Sequence, residues 1–153
     1  MTASIGKRPP WKGVIALSKI RIPAESSKYW LPKQRFLTVY HYCLQYPEWE
    51  DEYSALKAGT GISAVNYDGM PHGTGIGDPT STDAMRLADL DMKMQQVEDA
   101  VHEVAPEIYQ WLLKGVTEDR PFWYLHDVMR MPCEKDMYYD RRRKFYYLMA
   151  KKI

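Results

Sequence analysis

Apolar residues recur at intervals of three and four along most of this chain, the spacing that places side chains on one face of an α-helix. Pro47 and Pro106 each interrupt the pattern, and Gly115 is expected to end the last of these helices. The recurring positions are Phe36, Val39, Tyr40 and Cys43, then Trp49, Tyr53 and Leu56, then Leu87, Leu90, Met94, Val97, Val101 and Val104, and then Ile108, Tyr109, Leu112 and Leu113. The pattern predicts an all-α protein.

The third of these helices follows Pro79 and carries its apolar residues in a narrow seam, a spacing typical of coiled-coil packing. Its six seam positions are few for an independent coiled coil. We therefore expect the seam to pack within the chain, against the helix from Phe36 to Cys43. Packing across a homodimer is the alternative.

Two stretches of the chain lack a helical period. Residues 1–28 contain three prolines and two glycines, and we interpret them as an N-terminal arm or linker able to fold onto the rest. Residues 59–79 hold six of the nine glycines and are predicted to form a long glycine-rich connecting loop. The alternating glycines from Gly73 to Gly77 lack the preceding strand and further motif residues of a nucleotide-binding loop, so we assign them no such role.

The C-terminal part of the chain follows the plan of a helix-turn-helix. A helix is expected over residues 121–130, opened by its proline and burying Leu125, Val128 and Met129. The run Met131-Pro132-Cys133 should form a short turn, because proline cannot continue a helix. A second helix then extends from Cys133 or Glu134 to the C-terminus. In a helix-turn-helix, the N-terminal half of the second helix enters the major groove of DNA.

The second helix of this motif carries residue types that suit DNA binding. Its four consecutive cations would neutralise phosphates, and lysine, carboxylates and tyrosine in its first turns can contact base edges. The candidate DNA-binding residues are Glu134, Lys135, Asp136, Tyr138, Tyr139, Arg141, Arg142, Arg143 and Lys144. If Tyr138 points into the core, the exposed stripe consists of Lys135, Tyr139 and Arg142. The alternative interpretation is that the basic run is only a solvated face and the tyrosines are core residues. In either case we expect Tyr146 and Tyr147 to pack against the body.

The net charge of +1 conceals a strongly uneven distribution. Residues 1–45 carry +7, residues 46–119 carry −11, residues 120–133 carry +1 and residues 134–153 carry +4. Such a chain can hold a polyanion at one pole, while its acidic middle is expected to face a polymerase or a second copy of the chain.

Several classes of protein and site are disfavoured. No apolar run is long enough to span a membrane and no signal peptide is evident, so we expect a cytoplasmic protein. Cys43 and Cys133 lie far apart without metal-ligand spacing, which predicts reduced thiols and no metal site. No cluster of catalytic groups emerges, so we expect neither an enzyme nor a cofactor.

Several short motifs together resemble the RinA/ArpU-like regulators of phages and prophages in Gram-positive bacteria. The resemblance covers roughly residues 29–153. The matching motifs are Tyr29-Trp30-Leu31-Pro32, Gln45-Tyr46-Pro47-Glu48-Trp49, Tyr67-Asp68-Gly69-Met70-Pro71, Gly77-Asp78-Pro79-Thr80, Met131-Pro132-Cys133 and Arg141-Arg142-Arg143-Lys144-Phe145-Tyr146-Tyr147-Leu148. The resemblance implies a late-gene transcriptional activator whose C-terminal part is similar to region 4 of sigma factors, with the recognition-helix role on Glu134 to Arg143.

The sequence therefore predicts an arm over residues 1–28, a helical body over 29–116 and a helix-turn-helix over 117–153. The expected function is transcriptional regulation of phage late genes through binding of double-stranded DNA, with host RNA polymerase as a further partner. Two alternatives remain open. One is a DNA-packaging adaptor similar to a small terminase subunit, and the other is an inhibitor that binds a host protein through the acidic surface.

Overall fold

The computed structural model describes residues 20–63 and 79–153, and every regular element within these ranges is helical. A 3-10 turn, Pro106–Ile108, precedes the fourth helix, and a π-helical turn, Tyr124–Val128, lies between the fourth and the fifth. The α-helices are α1 (Lys33–Leu44), α2 (Tyr46–Ser63), α3 (Pro79–Val104), α4 (Tyr109–Thr117) and α5 (Lys135–Lys152). The all-α prediction is confirmed for the described part of the chain.

Helix α1 has the apolar face that its sequence predicts. Phe36, Val39, Tyr40 and Cys43 are all buried. The helix ends at Leu44, and a single residue separates it from α2, which carries Pro47 in its first turn. Proline is tolerated at that end of a helix because the first backbone N–H groups have no intrahelical partner.

Helices α2 and α3 form an antiparallel hairpin. Tyr46, at the start of α2, donates a hydrogen bond from its hydroxyl to Glu98 near the end of α3. Six residues further along α2, Glu52 accepts two hydrogen bonds from Arg86, at 2.6 and 2.9 Å, near the start of α3. The start of α2 is therefore paired with the end of α3, and a later position of α2 with the start of α3, as in two antiparallel helices.

The glycine-rich segment begins later than predicted. Helix α2 continues through Gly59 to Ser63, and α3 begins at Pro79, so the predicted loop boundary at residue 59 is wrong. A helical glycine costs only about 1 kcal/mol relative to alanine, and the adjoining helix can outweigh that cost. Residues 64–78, which hold most of the predicted loop, lie outside the described residues.

The seam of α3 packs within the chain and is buried at five of its six predicted positions, Leu87 being half-buried. Its main neighbours are α2, α4 and α5, so the predicted partner, α1, is wrong. The reason is tertiary: α5 packs against both α1 and α3 and supplies the apolar surface that the seam needs. The buried residues of α3 are Leu90, Met94, Val97, Ala100, Val101 and Val104.

Helix α4 does not stop at Gly115, as the sequence suggested, but continues to Thr117. Gly115 is buried, and a Cβ there would overlap the hydroxyl oxygen of Tyr138 and lie 3.2 Å from Cδ1 of Leu125. The glycine thus permits a close helix contact and is not a stop signal. The chain leaves the helical direction at Asp119, whose φ of 52° is left-handed, a conformation that aspartate tolerates better than most residues.

The helix predicted over residues 121–130 is shorter in the structure, where the helical turns end at Val128 and α5 begins only at Lys135. Arg130 adopts a left-handed φ of 58°, which reverses the chain. Leu125 is buried as predicted, but Val128 is 56% exposed and Met131 takes its place in the core. The ten-residue helix and three-residue turn are therefore both wrong.

Helix α5 is built into the core along its length. It packs against α1, α3 and α4, and residues of the predicted body and of the predicted helix-turn-helix share one contiguous core. Its last carbonyls are capped from two other helices: Arg35 of α1 donates to the carbonyls of Ala150 and Ile153, and Gln96 of α3 donates to that of Lys152. The position of α5 is thereby fixed at its C-terminal end.

The segment over residues 20–32 lies along α5. The guanidinium carbon of Arg21 lies 5.2 Å from the centre of the Tyr139 ring, and the Tyr29 ring lies 5.9 Å from that of Tyr147. Leu31 is buried and anchors the segment before α1. Residues 20–28 of the predicted arm thus contact α5, which the sequence placed in the helix-turn-helix and not in the body, while residues 1–19 lie outside the described residues.

Candidate nucleic-acid interface

The predicted DNA-binding residues fall into an accessible group and a buried group. Glu134, Lys135 and Asp136 are exposed at the start of α5. Half-buried members follow along the helix, namely Tyr139, Arg141, Arg143 and Lys144. DNA contact by these residues stays a prediction, because no nucleic acid is present.

The buried group consists of Tyr138 and Arg142, and the expected exposure of Arg142 is wrong. Tyr138 is fully buried, and the Arg142 side chain is only 11% exposed. The condition that Tyr138 points into the core is thus met. Arg142 nevertheless leaves the exposed stripe, because it lies four residues from Tyr138 and so shares its helix face. The Tyr138 side chain is therefore not available for base edges or phosphates, and the small exposed part of Arg142 lines a groove beside α5.

Arg142 belongs to a buried polar cluster that joins α1, the end of α4 and α5. One carboxylate oxygen of Asp119 accepts a hydrogen bond from the Tyr40 hydroxyl at 2.7 Å, and the other accepts one from Arg142 at 3.2 Å. Arg142 also donates to the hydroxyl of Tyr146 at 3.3 Å. Asp119 is held for this role by its left-handed backbone at the end of α4.

The pKa shifts in this cluster favour protonated tyrosines and a charged guanidinium. Burial and the hydrogen bond to Asp119 raise the pKa of Tyr40. Burial alone would lower the pKa of Arg142, but Tyr146, Tyr138 and Asp119 raise it above its usual value. Arg142 therefore remains a cation, and the cluster holds α5 on α1 instead of supplying charge to the surface.

The basic run from Arg141 to Lys144 is divided among different environments. Arg141 lies 3.6 Å from the carboxylate of Glu107, and Arg142 is committed to the buried cluster. Arg143 and Lys144 have no acidic partner within 4 Å in the described ranges, nor has Lys135 at the start of the helix. Among the predicted DNA-binding residues, the cations of α5 without an acidic partner are therefore Lys135, Arg143 and Lys144.

A groove lies between the N-terminal segment over residues 21–27 and the first half of α5. Its volume is about 710 Å³, and Phe36, Tyr40 and Tyr146 contribute to its lining. Lys135 and Arg143 also line it, so the groove borders two of these cations of α5. Trp123, from the segment before α5, contributes a side chain that is 49% exposed.

The α2–α3 hairpin forms a second charged surface. Its two helices carry ten acidic and three basic residues. Met85 and Met92, seven residues apart on α3, are 72% and 63% exposed on it. The described residues of the two helices are therefore predominantly acidic, with two exposed methionines.

The two cysteines are free, as the sequence predicts. Burial raises the pKa of the Cys43 thiol to about 12, which makes it a poor nucleophile. Within residues 20–63 and 79–153, no group of three or more metal-ligating side chains is close enough to hold a metal ion. No helix within the same ranges is long and apolar enough to cross a membrane.

We found no family model, no curated protein and no solved structure that matches this chain. The resemblance to RinA/ArpU-like regulators consequently stays a prediction from the motifs. What the molecule can do has to be argued from its own surfaces.

Sequence reasoning missed Arg21, Asp119 and Trp123. Arg21 lies in the proline-containing arm, where no period indicates which residues face the body. Asp119 precedes Arg120 and Pro121 in a stretch that looks like a simple linker, although an aspartate directly after a helix is a recognised candidate for left-handed backbone. Trp123 lies in a helical segment too short for its apolar spacing to show which side chains are exposed.

Proposed function

We propose that this protein binds double-stranded DNA through the exposed face of α5 and acts as a transcriptional regulator. The observation that carries the proposal is the pair of unpaired cations Arg143 and Lys144 on a helix whose opposite face is fixed in the core, together with Lys135 in its exposed first turn. A rigid helix with phosphate-binding cations beside exposed polar residues in its first turn is what groove recognition requires. The motif resemblance to phage late-gene regulators suggests the biological setting.

The proposed roles divide along the helix. Arg143 and Lys144 would neutralise phosphates and provide affinity that depends on salt. Glu134, Lys135 and Asp136 would contact base edges, because they are exposed at the leading end of α5. Arg142 has a positioning role: it holds α5 through Asp119 and touches no DNA.

The test begins with sequencing the DNA that co-purifies with the protein, to obtain a duplex to use as probe. Fluorescence anisotropy then gives the dissociation constant between roughly 50 and 200 mM salt. Lys144→Ala and Arg143→Ala should each reduce the salt slope by about one, and weaken binding across sequences. Lys135→Ala should reduce the preference for the selected site.

The matched control is Lys93→Ala, which removes one positive charge from the acidic hairpin. It should leave the salt slope unchanged, since Lys93 pairs with Asp89 at 2.9 Å on α3, away from α5. If Lys144→Ala and Arg143→Ala leave the slope unchanged as well, the DNA interface does not lie on α5. Light scattering gives the oligomeric state as an independent check. A stable ring of many subunits would favour a packaging adaptor over a transcriptional regulator.

We assign the acidic hairpin to contact with host RNA polymerase. Its exposed methionines suit a protein partner, because methionine is adaptable and apolar. Met85→Glu and Met92→Glu should abolish co-elution with purified polymerase while leaving duplex affinity intact. If the protein instead binds no duplex DNA but binds a different host protein tightly, the alternative function as an inhibitor of that host protein is favoured.

A further inference from the structure

The groove beside α5 has the size of a small-molecule site. Its volume of about 710 Å³ falls within the range of about 300–1,000 Å³ that is typical of ligand pockets. One wall is the segment over residues 21–27, and the opposite wall is the first half of α5. The lining rings of Phe36, Tyr40 and Tyr146 belong to the core, which makes that part of the groove rigid.

Four cations line this groove: Arg142, which is paired with Asp119, and three others that have no acidic partner in the described ranges. Arg21 comes from the N-terminal segment, whereas Lys135 and Arg143 come from α5, and Asp136 is the one exposed acid among them. None of the three cations has an acidic partner within 4 Å in the portion of the chain that the structure describes. Converging unpaired cations on a concave surface favour an anionic ligand.

An exposed aromatic ring lies in the same groove. Trp123 is 49% exposed, and its ring meets that of Tyr124 at 86°, edge to face. Aromatic side chains beside cations bind nucleobases by stacking, which is tolerant of the base. Asp136 adds an acceptor for the amino group that most bases carry.

We propose that this groove binds a free nucleotide, with its phosphates on Arg21, Lys135 and Arg143 and its base on Trp123. A mononucleotide fits because the groove has a volume of about 710 Å³ and the segment over residues 21–27 forms one of its walls. The proposal does not depend on duplex binding, since the ligand is measured without DNA. If both hold, nucleotide and duplex compete, because Lys135 and Arg143 serve both surfaces.

The experiment is isothermal calorimetry on the full chain, titrated separately with ATP, GTP, AMP, GMP and inorganic pyrophosphate. We expect saturable binding of one nucleotide per chain, tighter for triphosphates than for monophosphates and weaker for pyrophosphate than for either triphosphate. Arg21→Ala and Trp123→Ala should each weaken binding by about tenfold, the loss that follows from removing one charge contact or one stacking partner. Both side chains are exposed, so these variants should keep the fold, which circular dichroism checks.

Lys144→Ala is the matched control, because it removes the same charge from α5 but does not line the groove. It should leave nucleotide affinity unchanged and weaken duplex binding, which separates this proposal from the DNA interface. Three results would each overturn the nucleotide proposal. The first is no binding at millimolar nucleotide, and the second is pyrophosphate binding as tight as that of a triphosphate. The third is binding of a single-stranded oligonucleotide where mononucleotides do not bind. Saturation-transfer NMR on the unmodified protein should detect the base protons, and their absence would contradict stacking.

Discussion

Replacing Gly115 with alanine tests the closest helix contact in the core. In an open helix this change stabilises by about 1 kcal/mol, because alanine has the higher helix propensity. Here the new Cβ would overlap the Tyr138 hydroxyl oxygen and lie 3.3 Å from Cζ of the same ring. Tyr138 is fully buried and its ring packs 5.7 Å from that of Phe122, so it has little room to move.

The expected result is a loss of stability. Overpacking in a rigid core costs about 1–3 kcal/mol, and the contact is closer than side chains tolerate, so we expect a net loss of about 2 kcal/mol. For a chain of this length that loss lowers the melting temperature by about 4–8 °C. Urea denaturation followed by circular dichroism measures the free energy of unfolding directly.

Two further variants make the reasoning refutable. Gly59→Ala is the matched control, because Gly59 also lies in a helix but has no atom within 4 Å of a new Cβ. It should stabilise by about 0.5–1 kcal/mol. Tyr138→Phe removes the oxygen, which has no hydrogen-bond partner among the described residues, and combining it with Gly115→Ala should restore most of the stability. Gly115→Ala at or above wild-type stability would refute the packing of α4 on α5.

The remaining predictions concern the buried cluster and the buried titratable groups. Arg142→Ala should cost about 3–5 kcal/mol of unfolding free energy because it removes the guanidinium that compensates the buried Asp119 carboxylate, whereas Arg143→Ala should change it by less than about 0.5 kcal/mol; equal effects would contradict the assignment. Burial raises the pKa values of Cys43, Tyr40 and Tyr146, so these groups stay protonated in the folded chain but ionise in the unfolded one. The free energy of unfolding should accordingly be intact below pH 9 and fall above it, by up to about 1.4 kcal/mol per pH unit for each group. A free energy of unfolding that stays constant between about pH 8 and 10.5 would argue against the burial of these groups. Cys43 should resist iodoacetamide until urea unfolds the protein, as mass spectrometry of the modified peptide will show.

The helices themselves were largely predictable. The apolar spacing identified the buried face of α1 and the seam of α3, because a solvent-facing helix must place its apolar residues on one side. The same reasoning failed near residues 121–134. There a left-handed Arg130 and a hydrogen bond from the Trp111 indole to the Met129 carbonyl, at 2.8 Å, set the path of the chain. Such capping from another helix leaves no periodic signal.

The candidate site was predicted in outline and corrected in detail. The sequence pointed to α5 and its run of cations, but not to which cations reach the surface. Arg142 and Arg143 are adjacent and chemically identical, yet Arg142 is paired with Asp119 and only 11% exposed, whereas Arg143 has no acidic partner in the described ranges. Only the packing of α5 against α1 and α4 distinguishes them.

What the sequence determined by itself was therefore local: the helical character, the apolar faces and the separation of charge into an acidic middle and basic ends. These properties depend on residues within a few positions of one another, and so they can be seen in the order of the chain. The tertiary structure decided the rest: the partners of the α3 seam, the burial of Arg142, and the groove that Arg21 and Trp123 share with α5. Each of these joins residues from distant parts of the chain, and their packing depends on shape, which periodicity does not encode.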